Sequence, residues 1–207
     1  MTTAVAGRVR RLHTNGPSRW MGTAALIVLI AASAVVVHMS MPSWYARIWY
    51  PLEHAPAIVA ESEASGVQPD LIAAVIYQES RFSEVARSDR GAVGLMQVLP
   101  ETARWIHRQP GAPVAAPERL TDPTVNIAYG VWYLHYLIDK YKSQDLALAA
   151  YNGGETNLRR WIAGARREGR ALTVADVPFS ETQGFVVAVQ DARSVYRRAW
   201  SESLGLP

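Results

Sequence analysis

Apolar residues recur at helical spacing along nearly the whole chain, and this periodicity limits the fold more than any other feature. Intervals of three and four residues are typical of amphipathic helices, whereas a half-buried strand needs strict alternation of apolar and polar residues. Alternation long enough for a sheet core does not occur in the 207-residue sequence. The sequence therefore predicts a mainly α-helical domain of roughly 150 residues, an ordinary size for one domain.

Prolines, glycines and capping residues mark where the predicted helices begin and end. Pro69 and Pro123 suit the first turn of a helix, and Asp122 is a good cap for the second of these. The stretch QPGAPVAAPERLTDP is rich in proline and is expected to be a loop, and the glycine-rich SDRGAVGLMQVLP is expected to hold a loop or short strands. We expect helices over residues 54–65, 69–80, 100–107, 122–142, 146–151, 156–165 and 181–201.

A run without Asp, Glu, Lys or Arg extends from Trp20 to Met41. Because a helix of about 20 residues spans the hydrocarbon core of a bilayer, we interpret residues 20–41 as a transmembrane signal anchor. Four arginines precede this run and only Arg47 follows it closely, which predicts a cytoplasmic N-terminus. The alternative is a cleaved signal peptide with Ala32-Ser33-Ala34 at its site, and either way the remainder is exported.

The predicted organisation is a basic cytoplasmic tail over residues 1–19, the anchor over 20–41, a juxtamembrane linker over 42–48 and an exported domain over 49–207. Formal net charge is +3, but without the four arginines of the tail 17 basic residues face 18 acidic ones. The exported part therefore has no basic excess for nucleic acid. The absence of cysteine excludes disulfides, thiolate metal sites and cysteine nucleophiles. His107 and His135 lack ligand partners at useful spacing, so a metal site is not expected.

Glu79 stands on the apolar face of a predicted helix, four residues after Val75 and eight after Leu71, in the stretch AAVIYQESRF. A carboxyl in that position is paired with a cation, left at an exposed helix end, or protonated with a raised pKa. The first two outcomes would give Glu79 only a structural role. Arg81 is close in sequence but would lie on a different side of the helix. The third outcome is what a general acid for cleavage of a glycosidic bond requires.

Two further stretches carry polar groups next to glycines. Gln97 follows the motif GAVG, and Tyr151 and Asn152 end an apolar run just before a glycine pair. Amides and aromatic rings suit the N-acetyl and hydroxyl groups of sugars, by hydrogen bonding and by stacking. Each residue also has an ordinary explanation: a surface amide for Gln97, a core aromatic for Tyr151 and a helix C-cap for Asn152.

Taken together, the motifs ESRF, GLMQ, AYNGG and PFSET occur in the order and spacing of a known family. Over residues 49–200 the chain resembles the lytic murein transglycosylases that have a soluble-transglycosylase (SLT) catalytic domain. The resemblance implies a lysozyme-like helical fold, similar to goose-type lysozyme, with residues 49–207 as the catalytic domain. It also implies that Glu79 is the sole catalytic carboxylate, at the base of a sugar-binding cleft.

The reaction is implied by the same resemblance. Protonated Glu79 would donate to the oxygen that links N-acetylmuramic acid to N-acetylglucosamine, and would then take the proton of the C6 hydroxyl, which closes a 1,6-anhydro ring. No metal or cofactor is required. Phe185 stands where the family often has tyrosine, so a hydrogen bond to sugar from that position is in question. The residues implied to bind substrate are Ser80, Met96, Gln97, Tyr151, Asn152 and Glu181.

Two alternatives stay open on the sequence alone: a lysozyme-type hydrolase on the same fold, and a catalytically silent murein-binding component of a secretion or division complex. The resemblance implies peptidoglycan strands as the partner. Together with the anchor, it implies a bacterial inner-membrane protein whose catalytic domain is periplasmic. An aromatic run on the long helix has the spacing of core residues, with one or two ring edges left for sugars. It consists of Tyr129, Trp132, Tyr133 and Tyr136.

Overall fold

The computed structural model describes the backbone of residues 18–207 and the side chains of residues 22–33, 35–36 and 41–207. The basic tail predicted over residues 1–19 therefore lies outside the described residues, apart from the backbone of its last two. Contacts divide the chain into two units, residues 1–41 and 42–207. Each unit is described by itself.

The first unit contains helix α1, Ser18–Ser40. Its described apolar side chains are exposed, from 56% for Leu26 to 68% for Val28. In the part of the chain that the structure describes, no helix is long and apolar enough to cross a membrane. The transmembrane anchor predicted over residues 20–41 is therefore not supported.

The second unit is built from helices, which confirms the mainly α-helical prediction. Its helices are α2 Ser43–Trp49, α3 Ala55–Ser65, α4 Pro69–Ser80, α5 Pro100–Ile106, α6 Pro123–Tyr141, α7 Gln144–Gly153, α8 Glu155–Arg167 and α9 Ser180–Ala199. Two short 3₁₀ helices, Pro117–Arg119 and Val174–Asp176, lie in stretches that the sequence predicts to be loop. The glycine-rich stretch before α5 forms only isolated β-bridges, from Arg87 to Val93 and from Val93 to Val98.

Helix α4 carries the deepest part of the core. Residues 69–76 are all buried, because α4 packs between α3 and α9 and has an apolar surface on every side. Burial of each large aliphatic side chain on this helix contributes about 1.5–3 kcal/mol. The helix ends at Arg81, which adopts a left-handed conformation with φ 53° and donates its backbone N–H to the Tyr77 carbonyl. The last turn of α4 therefore leaves the core with residues 77–80 only partly covered.

The beginning of α4 is held by a buried acid. The side chain of Asp70 is fully buried, and its Oδ2 accepts hydrogen bonds from Arg193 Nε at 3.2 Å and from Arg197 Nε at 2.8 Å. Both arginines belong to α9, and a carboxylate in the first turn of a helix is also favoured by the helix dipole. This network fixes α4 against α9 and thereby sets the position of the residues at the other end of α4.

Residues 42–48, which the sequence predicts to be a linker, contain helix α2 and pack on α9. Ala46 is buried, Arg47 Nε donates to the Ala199 carbonyl at 2.8 Å, and the Arg47 guanidinium lies 4.8 Å from the centre of the Trp200 ring. Trp200 Nε1 in turn donates to the Tyr50 carbonyl at 2.9 Å. The segment is therefore an ordered helix and not an extended linker. The contacts that order it, made by Ala46 and Arg47, are with residues about 150 positions later in the chain, so the local sequence does not predict them.

Candidate active site

Glu79 lies in the last turn of α4, half-buried, at the edge of the core. Burial, which is the larger cause, and the negative charge of Glu181 together raise its pKa from 4.5 to about 8. Among the residues that the structure describes, no cation forms an ion pair with Glu79 within 4.0 Å. The nearby Arg81 guanidinium instead lies 3.9 Å from the centre of the Tyr77 ring. A carboxyl in this environment keeps its proton at neutral pH.

Tyr151 stands beside Glu79. Burial is the main cause that raises the pKa of Tyr151 well above its usual value, and the charge of Glu79 is the second. The Tyr151 hydroxyl donates to the Met96 carbonyl at 2.8 Å. The proton of the Tyr151 hydroxyl is therefore engaged by the backbone of the glycine-rich loop, and its oxygen remains as a hydrogen-bond acceptor.

The glycine-rich loop between α4 and α5 is shaped by Gln97. This residue has a φ of 47°, and its Nε2 donates to the Gly94 carbonyl at 2.9 Å and to the Ala86 carbonyl at 3.2 Å. Its amide nitrogen is therefore used within the loop, and its amide oxygen has no partner among the described residues. A free amide oxygen accepts a hydrogen bond from an N–H or O–H of a bound molecule.

Met96, one of the residues implied to bind substrate, is fully buried. Its side chain packs against Gly130 of α6 so closely that a Cβ there would lie 2.4 Å from the Met96 sulfur. Its N–H donates to Asn126 Oδ1 at 2.8 Å, and its carbonyl accepts from Tyr151 as described. Met96 is thus a buried anchor of the loop, and both polar groups of its main chain already have partners within the protein.

Asn126 organises this loop and was missed by the sequence analysis. It is 1% exposed, and its Nδ2 donates to the Val93 carbonyl at 2.7 Å and to the Leu120 carbonyl at 2.9 Å. With the bond from Met96, three of its four hydrogen-bonding positions are used. The available signal was an amide on the apolar face of α6, between Val125 and Ile127, where a buried polar group needs several partners.

Ser80 connects the end of α4 to the same loop. Its hydroxyl donates to the Ile76 carbonyl at 3.1 Å and to the Leu95 carbonyl at 2.8 Å. A hydroxyl has a single proton, so both contacts share it. In this arrangement Ser80 holds the backbone next to Glu79 in place, and only its lone pairs are available to a ligand.

Asn152 and Glu181 lie where α7 meets the beginning of α9. Asn152 Oδ1 accepts from Thr182 Oγ1 at 2.8 Å, and Thr182 is buried. A Cβ on Gly153 would lie 3.0 Å from the same Thr182 oxygen, so the glycine allows the close approach of the two helices. Glu181 is exposed, yet near enough for its charge to act on Glu79. Phe185, one turn further along α9, is half-buried and packs on the core.

A cavity of about 370 Å³ is lined by Gln97, Tyr133, Tyr151, Asn152 and Glu155, among others. The structure therefore brings three of the predicted substrate-binding residues into one concave site. Tyr133 and Glu155 were not among the predicted residues, because their positions depend on how α6, α7 and α8 pack. Within the described part of the chain, His, Asp and Glu side chains do not gather in groups of three or more that could hold a metal ion.

The sequence and the fold of this chain are similar to those of known proteins. The family model of the transglycosylase SLT domain matches residues 56–174. The soluble lytic murein transglycosylase of Escherichia coli K12 is 31% identical over 151 residues, which are 72% of this chain and 23% of that protein. The membrane-bound lytic murein transglycosylase C of Serratia proteamaculans is 31% identical over 168 residues, 70% of this chain and 47% of that protein.

Solved structures show the same similarity. An inactive glutamate-to-glutamine mutant of lytic transglycosylase Slt from Pseudomonas aeruginosa has a TM-score of 0.68 and 33% identity, over 79% of this chain and 26% of that one. The 70 kDa soluble lytic transglycosylase of Escherichia coli has a TM-score of 0.65 and 30% identity, over 74% of this chain and 25% of that one. The chain thus spans about a quarter of the length of these soluble relatives.

Proposed function

Because the chain belongs to the transglycosylase SLT domain family, we propose that it is a peptidoglycan lytic transglycosylase. It cleaves the β-1,4 bond between N-acetylmuramic acid and N-acetylglucosamine without water and leaves 1,6-anhydro-N-acetylmuramic acid ends. The observation that carries the proposal is the environment of Glu79, a half-buried carboxyl that no cation of the described residues pairs with, with a pKa of about 8. The proposal places the domain in the periplasm, because murein lies there.

Glu79 acts first as the general acid. An alkoxide is a poor leaving group, so the glycosidic oxygen must receive a proton as the bond from C1 breaks. A glutamate with an ordinary pKa near 4.5 is ionised at neutral pH and has no proton to give. With a pKa of about 8, Glu79 is mostly protonated at pH 7, which is the state that this step consumes.

Glu79 acts next as the general base. After the first step it is a carboxylate, and it takes the proton from the C6 hydroxyl of the same N-acetylmuramic acid. The C6 oxygen then bonds to C1. One C–O bond has broken and one has formed, the proton of Glu79 has been restored, and no water has been consumed. A single carboxyl is sufficient for both transfers, because they follow each other.

The other residues of the site act through hydrogen bonds. Gln97, Tyr151 and Asn152 line the cavity where the N-acetyl and hydroxyl groups of the sugars are expected to bind, and the amide oxygen of Gln97 has no partner among the described residues. Ser80 and Met96 fix the backbone of the glycine-rich loop. We assign Glu181 an electrostatic role, because its negative charge favours the protonated form of Glu79.

One observation favours a second candidate function. Glu181 is a second carboxyl near Glu79, and hydrolytic glycosidases use a pair of carboxyls, one of which activates water or attacks the sugar. In a lysozyme-type hydrolase on this fold, Glu181 would therefore be the carboxyl that activates the attacking water. The exposure of Glu181 argues against it, because a base or nucleophile of this kind is normally held at the reacting carbon.

Mass spectrometry of the products released from purified murein separates the two functions. A lytic transglycosylase yields anhydro-ended disaccharide products, whereas a hydrolase yields products that are heavier by one water. Release of only the heavier products contradicts the proposal and supports the hydrolase. No release above a buffer control contradicts both and supports a catalytically silent murein-binding component.

A further inference from the structure

Helix α8 carries a concentration of positive charge that the candidate active site does not use. Its outward side holds four exposed arginines, which we call the basic face: Arg159, Arg160, Arg166 and Arg167. Because seven residues make almost two turns of an α-helix, the last two of these arginines lie in line with the first two. The four guanidinium groups therefore share one side of the helix, away from the buried Leu158 and Ala165.

The charge of the basic face is largely uncompensated. Glu155 is the one acid of α8, and its Oε1 accepts from Lys140 Nζ at 2.6 Å and lies 4.0 Å from Arg159 Nε. Among the residues that the structure describes, no carboxylate oxygen lies within 4.0 Å of the other three arginines. Exposed guanidinium groups without a counter-ion attract anions from outside the chain.

Charge in the rest of the second unit has the opposite sign. Residues 42–207 contain 17 basic and 18 acidic side chains, and residues 155–170 account for five of the former and two of the latter. This leaves 12 basic and 16 acidic side chains elsewhere in the unit. An anionic surface therefore attracts the domain by the side that carries α8 and repels the remainder, which gives the attraction a direction.

A groove of about 540 Å³ runs beside the basic face, between α8 and the end of α6. Its cationic lining consists of three arginines of the basic face and Lys140, and its apolar lining of Tyr141, Ile162 and Ala163. No carboxylate of the described residues lines it. A phospholipid matches this lining, because it joins an anionic phosphate to apolar acyl chains. An acidic peptide would match the charge but would find few acceptors for its backbone N–H groups.

We infer that the basic face of α8 binds the headgroups of an anionic phospholipid membrane, with the apolar part of the groove against the interface. Each cation near such a surface raises the association constant about fivefold. The attraction falls with salt, because the Debye length shrinks from about 10 Å at 0.1 M to about 3 Å at 1 M. Since α8 begins at Glu155, which lines the 370 Å³ cavity, a domain bound in this way holds the candidate active site close to the membrane.

The test places one fluorophore on the basic face of the full chain. Because the sequence contains no cysteine, Ala163→Cys provides a single labelling site, exposed among the arginines. The labelled chain is mixed with vesicles whose lipids carry a nitroxide on the headgroup, which quenches a fluorophore near the surface. Vesicles rich in phosphatidylglycerol should quench the label at low salt and release it at about 1 M salt. Vesicles of phosphatidylcholine alone measure what the exposed apolar side chains of α1 contribute, and should quench this label little.

Two sets of four substitutions make the matched comparison. Changing the four arginines of the basic face together to glutamine should lower the affinity for phosphatidylglycerol vesicles by at least about 100-fold. The control changes four exposed arginines on other segments to glutamine, which removes the same charge and should leave the quenching in place: Arg87, Arg104, Arg108 and Arg198. A label at Val85→Cys, a position that is 85% exposed, should be quenched less than the label at residue 163.

Equal quenching of the residue-163 label by neutral and anionic vesicles overturns the inference, as does equal loss of quenching in the two fourfold variants. Equal quenching at residues 85 and 163 overturns it as well. A label that responds only to soluble peptide-bearing murein fragments, and not to vesicles, assigns the basic face to acidic peptides and contradicts the lipid. If the fourfold variant of α8 does not fold, the double variant Arg166→Gln/Arg167→Gln should still weaken binding about 30-fold. Murein is absent from the vesicle arms, so their outcome is independent of the proposed function.

Discussion

Two acids stand at opposite ends of α4, and their surroundings differ in almost every respect. Asp70 is fully buried at the beginning of the helix, where two arginines of α9 and the helix dipole stabilise its charge. Glu79 is half-buried at the end of the helix, where no cation of the described residues pairs with it and the dipole is unfavourable. Burial alone is therefore not expected to prepare a carboxyl for acid catalysis. In the described part of the chain, the missing counter-ion is what separates the proposed catalytic acid from the structural one.

Replacement of the unpaired acid gives the largest expected effect. Glu79→Gln is expected to lower the rate of murein cleavage by about 10²–10⁴-fold, because the amide cannot transfer a proton. The rate is measured as release of soluble anhydro-muropeptides from purified sacculi, with circular dichroism to establish folding. Glu63→Gln, at an exposed acid of α3, is the control. Cleavage by Glu79→Gln at the wild-type rate would remove Glu79 from the mechanism.

Replacement of the paired acid should instead affect stability. Asp70→Ala is expected to lower the free energy of unfolding by about 3–5 kcal/mol, since it leaves Arg193 and Arg197 without their buried counter-ion. Urea denaturation provides the measurement. Arg197→Ala should cost less, because that side chain is 56% exposed. A loss for Asp70→Ala no larger than that for Glu63→Ala would show that the ion network does not fix α4.

The pH dependence of stability sharpens the comparison further. The pKa of Glu79 is higher in the folded chain, about 8, than the ordinary value of 4.5, so the folded state binds the proton more tightly. The contribution of Glu79 to the free energy of unfolding is fully present below pH 4.5 and is lost as the pH rises to about 8. Glu79→Gln should therefore be more stable than wild type at pH 8 and no more stable at pH 4. Thermal melts at both pH values test this, and parallel curves would contradict the raised pKa.

The smallest expected effect concerns the neighbour of Glu79. Because the acid must be protonated, kcat/KM should fall as the pH rises through about 8. Glu181→Gln removes a negative charge near Glu79 and should therefore lower the pKa of Glu79, which moves the alkaline limb to lower pH. The shift should be small, because burial contributes more to the raised pKa than Glu181 does. A pH–rate profile of each variant gives the answer. An unchanged limb, with wild-type activity, would mean that Glu181 has no electrostatic role.

Much of this arrangement could be predicted from the sequence, because the decisive signals are local. Pro69, Pro123 and the cap Asp122 mark the beginnings of helices, and the Asp122 side chain accepts from the N–H groups of Thr124 and Val125 as a cap should. The apolar spacing around Glu79 placed that acid at the edge of the core. Such features depend on a few neighbouring residues and on the geometry of one helix.

The features that could not be predicted depend on residues far apart in the chain. Asn126 joins three segments of backbone, and no local pattern distinguishes it from an ordinary amide in a helix. The Ser80 hydroxyl donates to the carbonyl of Leu95, fifteen residues away, so this hydrogen bond depends on the path of the loop between them. Likewise, Trp132 and Tyr129 lie three residues apart on α6, and only the packing of distant segments leaves the first half-buried and buries the second completely.

Gly130 lets the glycine-rich loop lie directly against α6. Since a single hydrogen stands where other residues carry a side chain, Met96 packs on the backbone of that helix. A methyl group at this point would lie 2.4 Å from the Met96 sulfur and 2.6 Å from its Cβ, so the loop would have to move away from α6. The Met96 carbonyl holds the Tyr151 hydroxyl, so the smallest residue of α6 also helps to fix the tyrosine whose pKa Glu79 raises.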